Sequence, residues 1–181
     1  MSADRALEDF QNFTHSVSAA RLLMSRAHEN GSLIEGLVLY ASIIDAFLRI
    51  LIAHATGERD DTVRHLDLRY FRHDETLWMN ERKVYRAAHT CGVLSESERR
   101  ELDELYDFRN VVIHRFIISG ITYDQIGRRL DQYEAIVSRL RAQLEDIEQP
   151  APALSDAEIA DVHARIAGKL GDPARDVRRP N

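Results

Sequence analysis

The apolar residues of this chain recur three and four positions apart along most of its length, and this spacing limits the fold more than any other feature. Such spacing collects side chains on one face of a helix. No stretch shows the alternation of a β-strand, and no segment is repeated. The sequence therefore predicts an all-α protein. The clearest run is Ile126, Leu130, Tyr133, Val137, Leu140, Leu144 and Ile147.

Turn and cap residues divide the chain into helices. Ser32 and Ser95 each have a glutamate three residues later, Glu35 and Glu98, which is the pattern of a capping box. The predicted helices run over 3–28, 32–55, 74 or 76–90, 95–119 and 122–148, with a short amphipathic one over 155–170. We expect an antiparallel bundle of four to five helices over 1–148, followed by a linker, the short helix and a polar tail over 149–181.

The composition favours a soluble, cytoplasmic protein. Charged residues make up 30% of the chain and the formal net charge is −6, which gives no general attraction for nucleic acid. A lone cysteine, Cys91, fits a reducing compartment. The most apolar run, 36–55, is interrupted by Asp45 and Arg49, so we expect no membrane span.

The predicted fourth helix carries a cation where an apolar side chain is expected. Its inward stripe contains Arg109, which therefore needs a partner or a task. Asn110 and His114 lie one turn apart on the neighbouring face. The apolar members of the stripe are Leu102, Leu105, Val112, Ile113 and Phe116.

Asp45 is the carboxylate that we expect to pair with Arg109. It lies with Ser42 and Arg49 on one narrow polar face of the second helix. A carboxylate can accept a two-pronged hydrogen bond from a guanidinium. The alternative is that this face simply meets solvent.

Other site chemistries find no support in the sequence. No two histidines are four residues apart, no Cys/His cluster occurs, and there is no glycine-rich phosphate loop or nucleophile elbow. We therefore expect neither a metal nor a cofactor. The segment 58–75 mixes aromatic and basic residues around one short predicted helix. It either covers one end of the bundle or contacts a nucleotide.

The pattern Arg109-Asn110-x-x-x-His114 on a late helix of an all-α chain resembles the HEPN superfamily (higher eukaryotes and prokaryotes nucleotide-binding). The resemblance covers roughly 3–148. It implies a metal-independent endoribonuclease that works as a homodimer, commonly a toxin restrained by a cognate antitoxin protein or used in phage defence. Many of these toxins continue with His-x-Tyr, whereas here Phe116 takes the place of the tyrosine. This argues against neutralisation by modification of that residue.

The residue chemistry agrees with this resemblance. His114 can act as a base or an acid near neutral pH, and Arg109 is a permanent cation whose fork fits phosphate oxygens. Asn110 can orient either the histidine or the phosphate. Five residues of helix turn Arg109 and His114 about 140° apart, so one copy cannot aim both at one phosphate. We therefore expect RNA cleavage to require two copies.

Two non-catalytic interpretations remain open. In the first, Arg109 is a buried tether to Asp45 or Asp107, and His114 caps the core of a dimerisation or partner-binding module. In the second, the chain is an interaction module that docks through the last long helix and the segment 155–170.

Overall fold

The computed structural model describes residues 3–57, 59–60, 63–64, 68–71 and 80–148. All of them except Glu148 belong to the compact unit Met1–Ile147. The predicted all-α helical bundle is confirmed. The helices are α1 (Ala3–Glu29), α2 (Leu33–Thr56), α3 (Glu81–Thr90), α4 (Glu96–Ser119) and α5 (Tyr123–Glu148). The predicted linker, short helix and tail over 149–181 lie outside the described residues.

A small irregular region follows α2. The two-residue strands β1 (Arg59–Asp60) and β2 (Val63–Arg64) pair antiparallel, with Arg59 opposite Arg64. A 3₁₀ helix, Leu68–Phe71, comes next, and it is the short helix predicted between 58 and 75. The Phe71 ring packs edge-on against Phe10 and Phe13, with centroids 5.0 and 4.8 Å away. The region therefore covers part of α1.

The centre of the bundle is α2, as its composition predicts. It supplies more buried residues than any other described helix: Gly36, Leu37, Ala41, Ile43, Ile44, Ala46, Phe47, Leu48, Leu51, Ile52 and Ala53. By length and composition alone α2 would be able to cross a membrane, but 61% of its most apolar stretch is buried inside the bundle. That burial is typical of the core helix of a soluble protein.

Three consecutive helices run antiparallel, and their contacts give the register. The beginning of α3 meets the middle of α4, where Glu81 binds Arg109, while His89 near the end of α3 lies beside Glu96 at the start of α4. The register between α4 and α5 is set by Glu98 with Arg139, Leu105 with Tyr133, and Phe116 with Tyr123. This arrangement places Arg109 between α3 and α5.

The ends of α4 and α5 follow from their cap residues. Ser95 and Glu98 form the predicted capping box at the start of α4. Thr122 and Gln125 make the same reciprocal bonds at the start of α5. Gly120 ends α4 at φ 70°, a left-handed conformation that strongly favours glycine.

Two predicted helix starts need correction. Ser32 stands at the start of α2 but makes no capping hydrogen bond with its side chain, so the predicted box with Glu35 is absent. Helix α3 begins at Glu81, because Asn80 is extended (ψ 160°) and its side chain accepts from the Lys83 backbone N–H at 3.0 Å. The prediction of one helix running from Asp74 or Thr76 to 90 is therefore wrong at residue 80, and 72–79 lie outside the described residues.

The inward stripe of α4 also differs from its prediction at one position. Leu102, Leu105 and Val112 are buried, but Ile113 is 43% exposed. Ile113 lies at the edge of the stripe, and the helix is kinked two residues later at Arg115, where φ is −139° and ψ is 15°. The last turn of α4 therefore follows a different direction from the rest.

Candidate functional site

Arg109 is held by a carboxylate of α3. Its Nη1 donates to both carboxylate oxygens of Glu81 at 2.6 Å, and only 11% of its side chain is exposed. Its Nε is buried without a hydrogen-bond partner. Glu81 in turn accepts from the hydroxyl of Tyr85 at 3.2 Å. One guanidinium thus links α4 to the beginning of α3 through a largely buried ion pair.

The predicted pairing of Arg109 with Asp45 is wrong. Asp45 accepts instead from Arg49, one turn along α2, with an Nε to Oδ2 distance of 2.6 Å. Arg49 also donates to the Tyr70 carbonyl at 3.1 Å. This face does not simply meet solvent either, because the exposed fractions of the Asp45 and Arg49 side chains are 21% and 17%.

Asp45 and Glu81 nevertheless influence each other. Burial raises the pKa of Asp45 and the charge of Glu81 raises it further, whereas Arg49 and Arg109 lower it. Two carboxylates and two guanidinium groups therefore form a charge-balanced cluster between α2, α3 and α4. We call Asp45, Arg49, Glu81 and Arg109 the inner ion cluster.

Asp107, the other proposed tether of Arg109, also has a different partner. Its carboxylate accepts a hydrogen bond from Arg82 Nη2. The Nε of Arg82 also lies 3.6 Å from Oδ1 of Asp103. Arg82 and Arg109 both approach the ring of Tyr106, with guanidinium carbons 4.7 and 4.9 Å from the ring centroid. Tyr106 therefore carries a cation contact from each of two arginines that join α3 to α4.

Asn110 connects the inner ion cluster to the surface of α4. Its Oδ1 accepts from Arg109 Nη2 at 3.2 Å, and the side chain is half-buried. The guanidinium thus uses one amino group for Glu81 and the other for Asn110. The bond fixes the Asn110 oxygen toward Arg109, and the amide N–H groups make no hydrogen bond with the described residues.

His114 lies away from Arg109. It is exposed and makes no hydrogen bond or ion pair with the residues that the structure describes. Arg109 points inward to Glu81, as expected for residues about 140° apart on one helix. A single chain therefore brings Arg109 and Asn110 together but leaves His114 outside that group.

Exposed apolar side chains precede and follow His114 in the sequence. The exposed fractions are 43% for Ile113, 96% for Ile117, 82% for Ile118 and 58% for Tyr123. The Tyr123 ring packs edge-on against half-buried Phe116 at 5.7 Å. Large aliphatic side chains that are almost fully exposed and adjacent mark interaction surfaces. We call Ile113, Ile117, Ile118 and Tyr123 the outer patch.

Glu81 was missed in the sequence, although the signal that identified Arg109 also applies to it. Val84, Tyr85 and Ala88, which are buried, follow Glu81 by three, four and seven residues. A carboxylate inside the apolar stripe of one helix is the natural partner of a guanidinium inside the stripe of the next.

A search for metal-binding side chains in the described part of the chain and comparisons with known proteins gave no match. Among the described residues no group of three or more His, Cys, Asp or Glu side chains is arranged to hold a metal ion. No protein-family model, curated protein or solved structure matches this chain. The interpretation of the site therefore rests on its own residues.

Proposed function

We propose that this chain is a metal-independent endoribonuclease of the HEPN type, a cytoplasmic toxin of a toxin–antitoxin or phage-defence system that acts as a homodimer. The observation that carries the proposal is the position of His114. It is an exposed imidazole with no partner among the described residues, one turn from Asn110 and next to the outer patch. An imidazole that is exposed and has no hydrogen-bond partner can reach a bound substrate and act on it as a base or an acid.

The reaction follows from these groups. A base removes the proton of a ribose 2′-hydroxyl, and that oxygen attacks the adjacent phosphorus. The bond from phosphorus to the 5′-oxygen breaks, and an acid returns a proton to the leaving oxygen. The products are a 2′,3′-cyclic phosphate and a 5′-hydroxyl. His114 supplies the proton transfers, and Arg109 with Asn110 stabilises the negative phosphate oxygens.

A second copy of the chain completes this site. In one copy the Arg109 guanidinium is turned toward Glu81, about 140° around the helix from His114. In the proposed dimer, outer patches pair across a two-fold axis, and His114 of one copy acts on a phosphate held by Arg109 and Asn110 of the other. The two His114 side chains then supply separate base and acid. The pairing also buries Ile117 and Ile118, which are 96% and 82% exposed in the single chain.

One observation favours a second candidate function, a non-catalytic dimerisation or partner-binding module. The Nη1 of Arg109 is already occupied by both oxygens of Glu81. In this candidate the ion pair is purely architectural, and the outer patch binds its partner without any reaction at His114.

Induced expression of the wild type beside His114→Ala tests the proposal in cells. Growth arrest, with RNA fragments that end in 2′,3′-cyclic phosphate, is expected for the wild type alone. An antitoxin that restrains the enzyme would suppress both effects when co-expressed. Equal growth and intact RNA in both strains, at equal levels of folded dimer, would favour the non-catalytic module.

A further inference from the structure

A groove separate from the outer patch runs between α4 and α5. Its volume is about 670 Å³, and Phe108 contributes from α4, one residue before Arg109. The remaining lining residues come from α5: Gln125, Arg128, Arg129, Asp131 and Gln132. We call it the α4–α5 groove. Two guanidinium groups, two amides, one carboxylate and one aromatic ring therefore line a single open groove beside the motif helix.

Arg128 and Arg129 belong to the described arginines that have no ion pair with the described residues, as do Arg21, Arg26, Arg86 and Arg115. Seven other described arginines form ion pairs with carboxylates: Arg49, Arg82, Arg99, Arg100, Arg109, Arg139 and Arg141. In a chain with a net charge of −6, two neighbouring guanidinium groups without a carboxylate partner are available to an external anion.

Arg129 is also held in a defined position. Its guanidinium carbon lies 5.4 Å from the centroid of the Phe108 ring, and its Nη1 donates to Gln132 Oε1 at 2.7 Å. One face of the guanidinium lies over the aromatic ring, and the side chain is half-buried at the groove. Nucleic-acid bases stack on such guanidinium planes.

We propose that the α4–α5 groove binds single-stranded RNA. Arg128 and Arg129 bind consecutive phosphates, a base stacks on the Arg129 guanidinium, and Phe108 positions that guanidinium. The proposal rests on the endoribonuclease function, because it describes how the substrate strand is held beside the cleavage site. Phe108, the α4 residue of this groove, precedes Arg109 by one residue and His114 by six on the same helix.

Asp131 is the one acidic residue of the groove and gives the proposal a second test. Its carboxylate lies on the same lining as Arg128 and makes no ion pair with it. A phosphodiester in the groove is repelled by that charge. Replacing Asp131 by asparagine should therefore strengthen RNA binding, whereas removing the arginines should weaken it.

Binding is measured by fluorescence anisotropy with a fluorescein-labelled, mixed-sequence single-stranded RNA, in EDTA, on the full-length His114→Ala protein so that the probe stays intact. The Arg128→Ala/Arg129→Ala double variant should bind at least about tenfold more weakly. The slope of log affinity against log salt should fall by about 1.4, since each phosphate contact on a single strand contributes about 0.7. Phe108→Leu should weaken binding by about fivefold or more.

Arg141→Ala is the matched control, because Arg141 is an exposed arginine of α5 that already pairs with Glu145. It should leave affinity and salt slope unchanged, and Asp131→Asn should increase affinity. Affinity in the double variant equal to that of the parent, with an unchanged melting curve, would overturn the groove assignment, as would a parent that binds no RNA.

Different results would refute the RNA-binding role of the groove and the endoribonuclease function. Cleavage by the wild type, together with a double variant that binds and cleaves as well as the wild type, would refute the groove alone. Tight, arginine-dependent binding without any cleavage by the wild type would refute the endoribonuclease function while keeping the groove as an RNA-binding site.

Discussion

Arg109 and Glu81, 28 positions apart in the chain, form a largely buried ion pair in which one guanidinium nitrogen lies 2.6 Å from each carboxylate oxygen. The pair joins the middle of α4 to the first residue of α3. Because Arg109 also donates to Asn110, the same side chain that fastens two helices orients a polar group at the helix surface. Arg109 thus has a structural task as well as its proposed catalytic one.

The first prediction concerns this pair. Arg109→Ala and Glu81→Ala should each lower the free energy of unfolding by about 2 kcal/mol, between the values for exposed and fully buried pairs. The double variant should lose less than the sum, with a coupling of about 1 kcal/mol or more in urea unfolding. The exposed pair Arg141–Glu145 is the control, with an expected coupling of about 0.3–0.5 kcal/mol. Strict additivity at Arg109 and Glu81 would contradict the tether.

The second prediction concerns the outer patch. Ile117→Asp should weaken dimerisation at least about tenfold in analytical ultracentrifugation, because it places a charge in the apolar contact. Ile117 is 96% exposed in the single chain, so monomer stability should change by less than about 0.5 kcal/mol. Leu22→Asp, at an exposed leucine of α1, should leave dimerisation intact. A dimer that tolerates Ile117→Asp but not Leu22→Asp would place the interface elsewhere.

The third prediction concerns a buried hydroxyl behind the motif helix. Tyr133 donates to the Leu105 carbonyl at 3.0 Å, and burial raises its pKa, so it remains a donor at physiological pH. Tyr133→Phe should lower the free energy of unfolding by about 1 kcal/mol, since a buried hydrogen bond between α5 and α4 is lost. Tyr123→Phe, at a 58% exposed tyrosine, should be neutral. Equal effects of the two changes in urea unfolding would contradict the assignment.

The fourth prediction concerns acid sensitivity at the start of α4. Hydrogen bonds from Arg99 and then Arg100 lower the pKa of Glu96 from its ordinary value of 4.5 to about 2. A carboxyl whose pKa is lower in the folded state stabilises the fold above its unfolded pKa, and this contribution is lost as the pH falls. The difference in Tm between wild type and Glu96→Gln should therefore decrease as the pH falls below 4.5 and disappear by about pH 2.

Glu104→Gln is the control for this titration. Glu104 is exposed on the same helix and makes no ion pair with the described residues. Its effect on Tm should show no corresponding step between pH 4.5 and about 2. A Glu96→Gln difference that persists undiminished at pH 2 would show that Glu96 stabilises the helix by some means other than its charge.

Helix periodicity explains why much of the fold was predictable. A 3.6-residue repeat determines which side chains share a face, so the burial of Leu102, Leu105 and Val112 followed from their spacing. The capping box of Ser95 and Glu98 is equally local and was predicted correctly. Both features depend only on residues within a few turns of each other.

The partner of Arg109 could not be derived in the same way. Spacing shows that Arg109 points inward, but which helix it meets depends on the rotation and register of α2 and α3 against α4. Asp45 and Glu81 both lie near apolar stripes, so either could have been the partner. In the packed bundle Asp45 pairs with Arg49, and Glu81 pairs with Arg109. The kink at Arg115, which helps to expose the end of α4, likewise has no local signal such as proline or glycine at that position.

Cleavage of RNA by purified protein tests the proposed role of His114 in a homodimer. The most direct measurement incubates purified dimeric wild type and His114→Ala with a 5′-labelled RNA in EDTA and identifies the product ends. We predict 2′,3′-cyclic phosphate ends from the wild type, a decrease in rate of at least about a hundredfold for His114→Ala, and equal Tm and dimer content for both. Equal cleavage by the two proteins, or none by a verified wild-type dimer, would contradict the account.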